Sequence, residues 1–263
     1  MIAKNNQHIT VTFLGTGTSQ GVPVIGCDCP VCTSSDPRDK RLRTSILVTI
    51  DDKNIVVDAG PDFRQQMLRA GVSSLSAILL THQHNDHVIG LDDVRPFNFR
   101  QGTPISIYAT PMVQADLRQR FAYAFDTEPY PGAPRLELVH LAKQTSFELL
   151  GERILPIEVM HGKLAVMGFR IRDFTYLTDM NAISDVEYKK VIGTRILVVD
   201  ALHHTPHHSH FTLEQAIDFA TKVDAEQTYF IHASHRMGQH AVVEKTLPEG
   251  MYLSYDGLKL HLG

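Results

Sequence analysis

No apolar run in this 263-residue sequence approaches the roughly 20 residues needed to span a bilayer, so no membrane segment is expected. The opening Met1-Ile2-Ala3-Lys4-Asn5-Asn6 also lacks the continuous apolar core of a signal peptide. A cytoplasmic location is the expectation. Charge of one sign is missing too: the formal net charge is −4 with histidines neutral. That balance offers no broad basic field for nucleic acid, so a nucleic-acid partner is not expected. Cysteine is scarce, and three is an odd number for a disulfide framework. No internal repeat, low-complexity stretch or linker divides the chain, so one domain over residues 1–263 is expected. With 43% hydrophobic and 21% charged residues, it can still bury a sizeable core.

Histidine, by contrast, is plentiful. Fifteen occur, clustered at 82–87, 203–210 and 232–240. The most informative cluster is His82-Gln83-His84-Asn85-Asp86-His87, directly after Ala77-Ile78-Leu79-Leu80 and Thr81. Imidazole and carboxylate suit zinc, manganese and iron. A loop with three histidines and an aspartate, at the end of a buried strand, can serve two adjacent metals.

Apolar runs elsewhere outline the scaffold. Val11–Leu14 leads into Gly15-Thr16-Gly17-Thr18-Ser19-Gln20-Gly21, which lacks the Gly-Lys-Ser/Thr and closing helix of a phosphate cradle. It reads as a tight loop at the rim of a site. Ser45–Ile50 and Asn54–Val57 fit a hairpin about Asp51-Asp52-Lys53. Helices are expected at Phe63–Ala70, stopped by Gly71, and at Pro111–Ala124. Segments at 135–141, 146–149, 154–159 and 165–171 suggest antiparallel strands. Short strands at 175–177, 196–199 and 228–231 each end at a polar residue, and Thr212-x-x-Gln215 resembles a capping box. Strands in both halves with helices between them suit an α/β sandwich of two sheets flanked by helices.

Two metals need more ligands than one loop supplies. His161, Asp179 and His232 each follow a short apolar run, where α/β scaffolds display reactive side chains. One consistent assignment puts His82, His84 and His161 on one metal. Asp86, His87 and His232 then hold the other, with Asp179 bridging.

In these motifs and their order the chain resembles the metallo-β-lactamase superfamily. The resemblance implies an αββα sandwich, two mixed β-sheets flanked by helices, with metals at one edge. It also implies that Asp58, at the end of Ile55-Val56-Val57, buttresses the metal loop rather than binding metal.

Cys27-Asp28-Cys29-Pro30-Val31-Cys32 presents three thiols in a tight turn. Three thiolates and one histidine make a closed tetrahedral zinc site of the structural type. His235, three residues after His232, is the leading fourth ligand; His240 and a histidine of 203–210 are rivals. Together with the loop at 14–19, this feature is similar to the phosphoribosyl cyclic phosphodiesterase (PhnP) family and its relatives. That resemblance implies two divalent active-site metals (manganese or zinc), one structural zinc and a small phosphodiester substrate. Dimers are frequent among the relatives, so a homodimer is the corresponding expectation.

The resemblance further implies a phosphate-contacting histidine between Asp179 and His232. His210 matches best, with His207 and His208 as rivals and His203 and His204 expected to be exposed. Asp86 and Asp179 would orient the attacking water, and His210 would stabilise charge and protonate the leaving oxygen. Arg95 is a further phosphate candidate, against the plainer reading of an Arg–Asp structural pair. A tRNase Z-type endonuclease is the nearest rival, but only 18 positions separate His161 from Asp179, leaving no room for its tRNA-gripping arm. A thioester hydrolase of the glyoxalase II type and a non-catalytic metal-binding scaffold are two further readings of the same ligand set.

Overall fold

The computed structural model describes residues 7–262, so the Met1–Asn6 stretch lies outside the described residues. The first apolar runs become β1 (Ile9–Gly15), β2 (Ser45–Ile50) and β3 (Lys53–Val57). β2 and β3 form the expected hairpin, with Thr49 opposite Asn54. Helix α1 (Phe63–Ala70) stops at Gly71, whose φ of 67° is a left-handed cap that glycine adopts without steric cost. Next come β4 (Ala77–Leu79), a one-turn α2 (Asn85–Val88), α3 (Arg95–Gln101), β5 (Ile105–Ala109), α4 (Pro111–Arg120) and β6 (Leu136–His140). The helix expected to reach Ala124 is shorter. It ends at Arg120, where Phe121 leaves helical geometry to bury its ring.

The second half supplies β7 (Phe147–Leu149), β8 (Glu152–His161), β9 (Leu164–Ile171), β10 (Phe174–Tyr176) and β11 (Ala182–Ile183). Then follow α5 (Asp185–Val191), β12 (Ile196–Asp200), α6 (Leu213–Val223), β13 (Gln227–Ile231), α7 (His240–Val243), β14 (Met251–Leu253) and β15 (Lys259–Leu262). The capping box at Thr212 and Gln215 is present and starts α6.

These strands sort into two mixed sheets. One runs β15-β1-β2-β3-β4-β5-β6 and the other β11-β8-β9-β10-β12-β13-β14, with β7 pairing to β8. Residues such as Phe13, Val48, Phe169 and Val198 fill the space between the sheets. A second core lies between the first sheet and α1, α3 and α4, including Phe63, Ile107 and Leu117. A third packs α6 against the second sheet through Ala216, Phe219 and Phe230. Fully burying each such large aliphatic or aromatic side chain stabilises the fold by about 1.5–3 kcal/mol. The result is a helix–sheet–sheet–helix sandwich. Its parallel strands β3, β4, β12 and β13 present their polar ends at Asp58, Thr81–His82, Asp200 and His232.

Candidate metal centre

The loop after β4 is anchored by Asp58, a fully buried carboxylate with φ of 65°. It accepts hydrogen bonds from the Thr81 amide (2.9 Å), the Thr81 hydroxyl (2.8 Å) and His87 Nδ1 (2.7 Å). Burial pushes the Asp58 pKa up, while His87 and Thr81 favour its charged form. Because the Thr81 hydroxyl gives its proton to Asp58, it can only accept from His82 Nδ1, 2.9 Å away. The same logic holds for His161 Nδ1, which donates to the Ser209 carbonyl at 2.9 Å. In each ring the Nδ1 proton is committed, leaving the Nε2 lone pair to face inward.

Those inward nitrogens converge. Buried Nε2 atoms of His82, His87 and His232 have no hydrogen-bond partner, which is costly unless something electropositive meets them. His87 Nε2 lies 3.3 Å from Asp86 Oδ2 and 3.4 Å from Asp179 Oδ2; His232 Nε2 lies 3.2 Å from Asp179 Oδ1. Tetrahedral ligands about 2.0–2.1 Å from zinc sit about 3.3 Å apart, so these separations fit a shared cation. The rings of His82, His84 and His161 form the adjoining triangle, with centroids 4.5, 5.3 and 5.9 Å apart. Asp179 reaches both sides, since it groups with His82 and His87 and also with His161 and His210. The structure therefore brings His82, His84, Asp86, His87, His161, Asp179 and His232 into one place.

The carboxylates and imidazoles of this cluster shift one another's protonation. Burial alone would keep His87 neutral, but Asp179, Asp58 and Asp86 pull its pKa well above the ordinary value. Burial opposes ionisation of Asp179, yet His232 and His87 hold its carboxyl well below the usual range. His82 is pushed well down by burial and by His87, and burial takes His161 down to about 4. Asp179 and His232 also have left-handed backbone, with φ of 50° and 65°. Such conformations are unusual for non-glycine residues and concentrate at functional sites.

His210 is buried beside the cluster, stacked on His232 with centroids 4.7 Å apart. Its Nδ1 donates to Asp200 Oδ2 at 3.1 Å. Asp200, at the end of β12, is a site residue that the motif spacing does not pick out, although the apolar run Ile196–Val199 before it carries the signal. Burial drives its pKa well above the ordinary value, opposed by His232.

A cavity of about 450 Å³ opens over the centre. Ser19, Asn85, Arg120 and His207 line it together with the cluster, so the Gly15–Gly21 loop does reach the rim. Arg95 does not line this cavity: it is clamped in an ion pair with Asp92, the plainer of its two readings, and the guanidinium at the rim is that of Arg120. One expectation is corrected here. His203 is buried, not exposed, because its backbone bridges to Thr212 and its Nδ1 accepts from Thr205; His204 is exposed as expected.

The three thiols form a separate cluster. His235 Nδ1 stands 3.2, 3.5 and 3.6 Å from the sulfurs of Cys27, Cys29 and Cys32. Of the rival histidines, His240 is turned elsewhere, accepting from Arg41. The backbone amide of Cys32 and the His235 ring lower the Cys29 pKa to about 6, whereas burial raises Cys32 to about 11. Four ligand atoms within 4.8 Å of one another can hold a zinc ion.

Two helix-backed mixed sheets with a histidine–carboxylate cluster on the loops at one edge define a metallo-β-lactamase fold. A model of the beta-lactamase superfamily domain matches residues 53–233, and the chain belongs to the metallo-β-lactamase superfamily. Within it, the chain resembles the PhnP family. The crystal structure of a diphosphatase from that family is 41% identical, with a TM-score of 0.91 and 97% of each chain covered. An octanoyltransferase of Porphyromonas gingivalis is 41% identical over 249 residues, 94% of this chain and 50% of that protein. Coenzyme PQQ synthesis protein B of Rhodopseudomonas palustris is 36% identical over 123 residues, 42% of this chain and 38% of that one. The chain thus spans half or less of the length of these curated relatives.

Proposed function

We propose that the chain is a metal-dependent phosphohydrolase that cleaves a small phosphodiester, such as a ribose cyclic phosphate, at a dinuclear centre. The convergence of orphaned Nε2 atoms on Asp86 and Asp179 carries this reading. His82, His84 and His161 would hold one divalent ion, and Asp86, His87 and His232 the other, with Asp179 between them. Manganese and zinc both suit the donor set. Bound there, the pair would supply Lewis acidity and lower the pKa of a water between them. Cys27, Cys29, Cys32 and His235 would hold a structural zinc that ties the N-terminal loop beside His232.

The chain's own groups then act on the substrate. Asp86 and Asp179 accept hydrogen bonds from the attacking water and aim it at phosphorus. His210, when protonated at Nε2, donates to the phosphoryl oxygens and gives that proton to the leaving oxygen. Asp200 supports that role by accepting from Nδ1–H and so fixing the ring's tautomer and orientation. His207, with its Nδ1 turned to Ser209, presents its other nitrogen to the same cavity.

A diphosphate substrate is the second reading, favoured by the 41% identical diphosphatase and by Arg120 beside the cavity. A charged leaving phosphate calls for such a cation. A tRNA substrate is less well supported: β8 passes to β9 through a tight turn at Gly162, and β10 leads directly to Asp179. The octanoyltransferase name belongs to a protein twice this length and carries no weight for the site.

Turnover of bis(p-nitrophenyl) phosphate by the manganese- or zinc-loaded chain tests the proposal. Activity abolished by Asp179→Ala is the expected result; no activity with either metal would overturn it. A panel of cyclic phosphates, diphosphates and tRNA precursors then separates the readings.

A further inference from the structure

Of the residues on the cavity wall, Ser19 alone comes from the amino-terminal loop. It is exposed, yet the backbone around it is fastened on three sides. The Gly21 amide donates to the Thr18 carbonyl at 2.8 Å, closing a turn with Ser19 and Gln20 at its corners. The Thr18 amide donates at 3.3 Å to the carbonyl of Ala233, the residue after His232. Arg43 Nε donates to the Ser19 carbonyl itself at 3.1 Å. The Ser19 hydroxyl, by contrast, has no hydrogen-bond partner among the described residues, whereas the cavity's other serine, Ser209, turns its hydroxyl to His207 Nδ1.

Arg43 is held in turn. Its backbone amide donates to Asp62 Oδ2 at 2.8 Å, and its guanidinium pairs with Asp62 Oδ1 at 3.1 Å. Asp62 lies two residues beyond Gly60, whose backbone is packed against the Asp86 carbonyl. Ser19 is therefore registered to the cluster from two directions, through Ala233 to His232 and through Arg43 and Asp62 to the segment beside Asp86. Arg43 does not itself line the cavity, so it reaches a ligand there only through Ser19. A donor on backbone fixed in this way loses less freedom on binding than one on a loose loop.

We propose that the Ser19 hydroxyl donates a hydrogen bond to a non-bridging phosphoryl oxygen of the substrate, with Arg43 as the residue that positions it. The assignment rests on the phosphohydrolase reading and adds a specificity contact to it. A cavity of about 450 Å³ suits one small ligand, so a group on its wall faces the same molecule as the metal ligands do. Asp86 and Asp179 on that wall can only accept hydrogen bonds when ionised. Sugar hydroxyls can donate to such carboxylates, but phosphoryl oxygens only accept, so a hydroxyl donor on this wall serves the phosphoryl group.

Calorimetric titration of the metal-loaded chain with inorganic phosphate and with ribose 5-phosphate tests this directly, because the two ligands share only the phosphoryl group. Ser19→Ala is expected to weaken both by about tenfold, the value of a hydrogen bond to a charged acceptor, and Ser19→Thr should retain the affinity. Arg43→Met should weaken both ligands in the wild-type background and cost nothing further once Ser19 is alanine. A purely structural Arg43 would add its own loss in the double variant, and that result would overturn the positioning role. No phosphate binding by the wild type, undiminished phosphate affinity in Ser19→Ala, or a loss confined to ribose 5-phosphate would each overturn the contact. Ser19 is exposed, so loss of fold is not expected of its variants. The titration requires no turnover: the expected loss in a chain inactive on bis(p-nitrophenyl) phosphate would sink the hydrolase reading alone.

Discussion

Asp200 stands behind His210, accepting from its Nδ1 at 3.1 Å, while its other oxygen lies 3.6 Å from Nδ1 of His232. One buried carboxyl group therefore holds a loop histidine by a hydrogen bond and lies against a strand-end ligand. Replacing an acceptor oxygen with an amide while keeping its shape should disturb both. Asp200→Asn is expected to lower activity and metal affinity by about 10–100-fold, the usual cost of losing a partner behind a metal ligand. Metal titration alongside hydrolysis rates checks it. Unchanged values in both would exclude a positioning role.

Gly60 sits against the metal loop so closely that a methyl group would lie 1.9 Å from the Asp86 carbonyl oxygen. Gly60→Ala must displace the backbone that carries Asp86. The overpacking should cost at least about 1–3 kcal/mol in denaturant unfolding and should weaken metal binding. Gly71→Ala serves as the control, because its added methyl meets nothing within 4 Å. Its left-handed φ makes it mildly destabilising, but metal binding should be unaffected.

Metal analysis should find about three ions per chain, with one resisting mild chelation as a closed thiolate site does. Cys29→Ser should remove the resistant ion and leave the other two. A wild-type preparation that takes up a single ion would contradict the two-site arrangement.

His240 gives a pH dependence of stability. Burial lowers its pKa to about 4, and Arg41 and Arg38 push the same way. The unfolded chain, with an ordinary histidine near about 6.5, binds the proton more readily than the folded one. Stability contributed by the neutral ring is complete above about pH 6.5 and falls as pH drops toward about 4. Acid unfolding followed over this window should be steeper for the wild type than for His240→Gln. Identical slopes would show that His240 titrates normally.

Much of the centre is legible in the sequence, because metal chemistry demands particular donors and strand ends display them. The His82–His87 loop, His161, Asp179 and His232 each follow an apolar run of the kind a buried strand requires. The hairpin about Asp51, the stop at Gly71 and the Thr212 capping box are legible for a similar reason: each is a local rule about backbone and turn. Strands β14 and β15 are not, since three or four residues of weak pattern acquire strand geometry only by pairing with β13 and β1.

Arg95 and Arg120 mark the boundary most clearly. Both are arginines near helices, and sequence proximity to the metal loop favours Arg95. Only the packing of α4 brings Arg120 to Asn85 and the cavity, while Arg95 is held by Asp92. Donor types, their order and the sandwich that carries them follow from sequence alone, because each rests on a local pattern of residues. Which polar side chains meet follows only from tertiary packing: contacts such as Arg120 with Asn85, 35 positions apart, depend on how helices dock, and no local pattern records that.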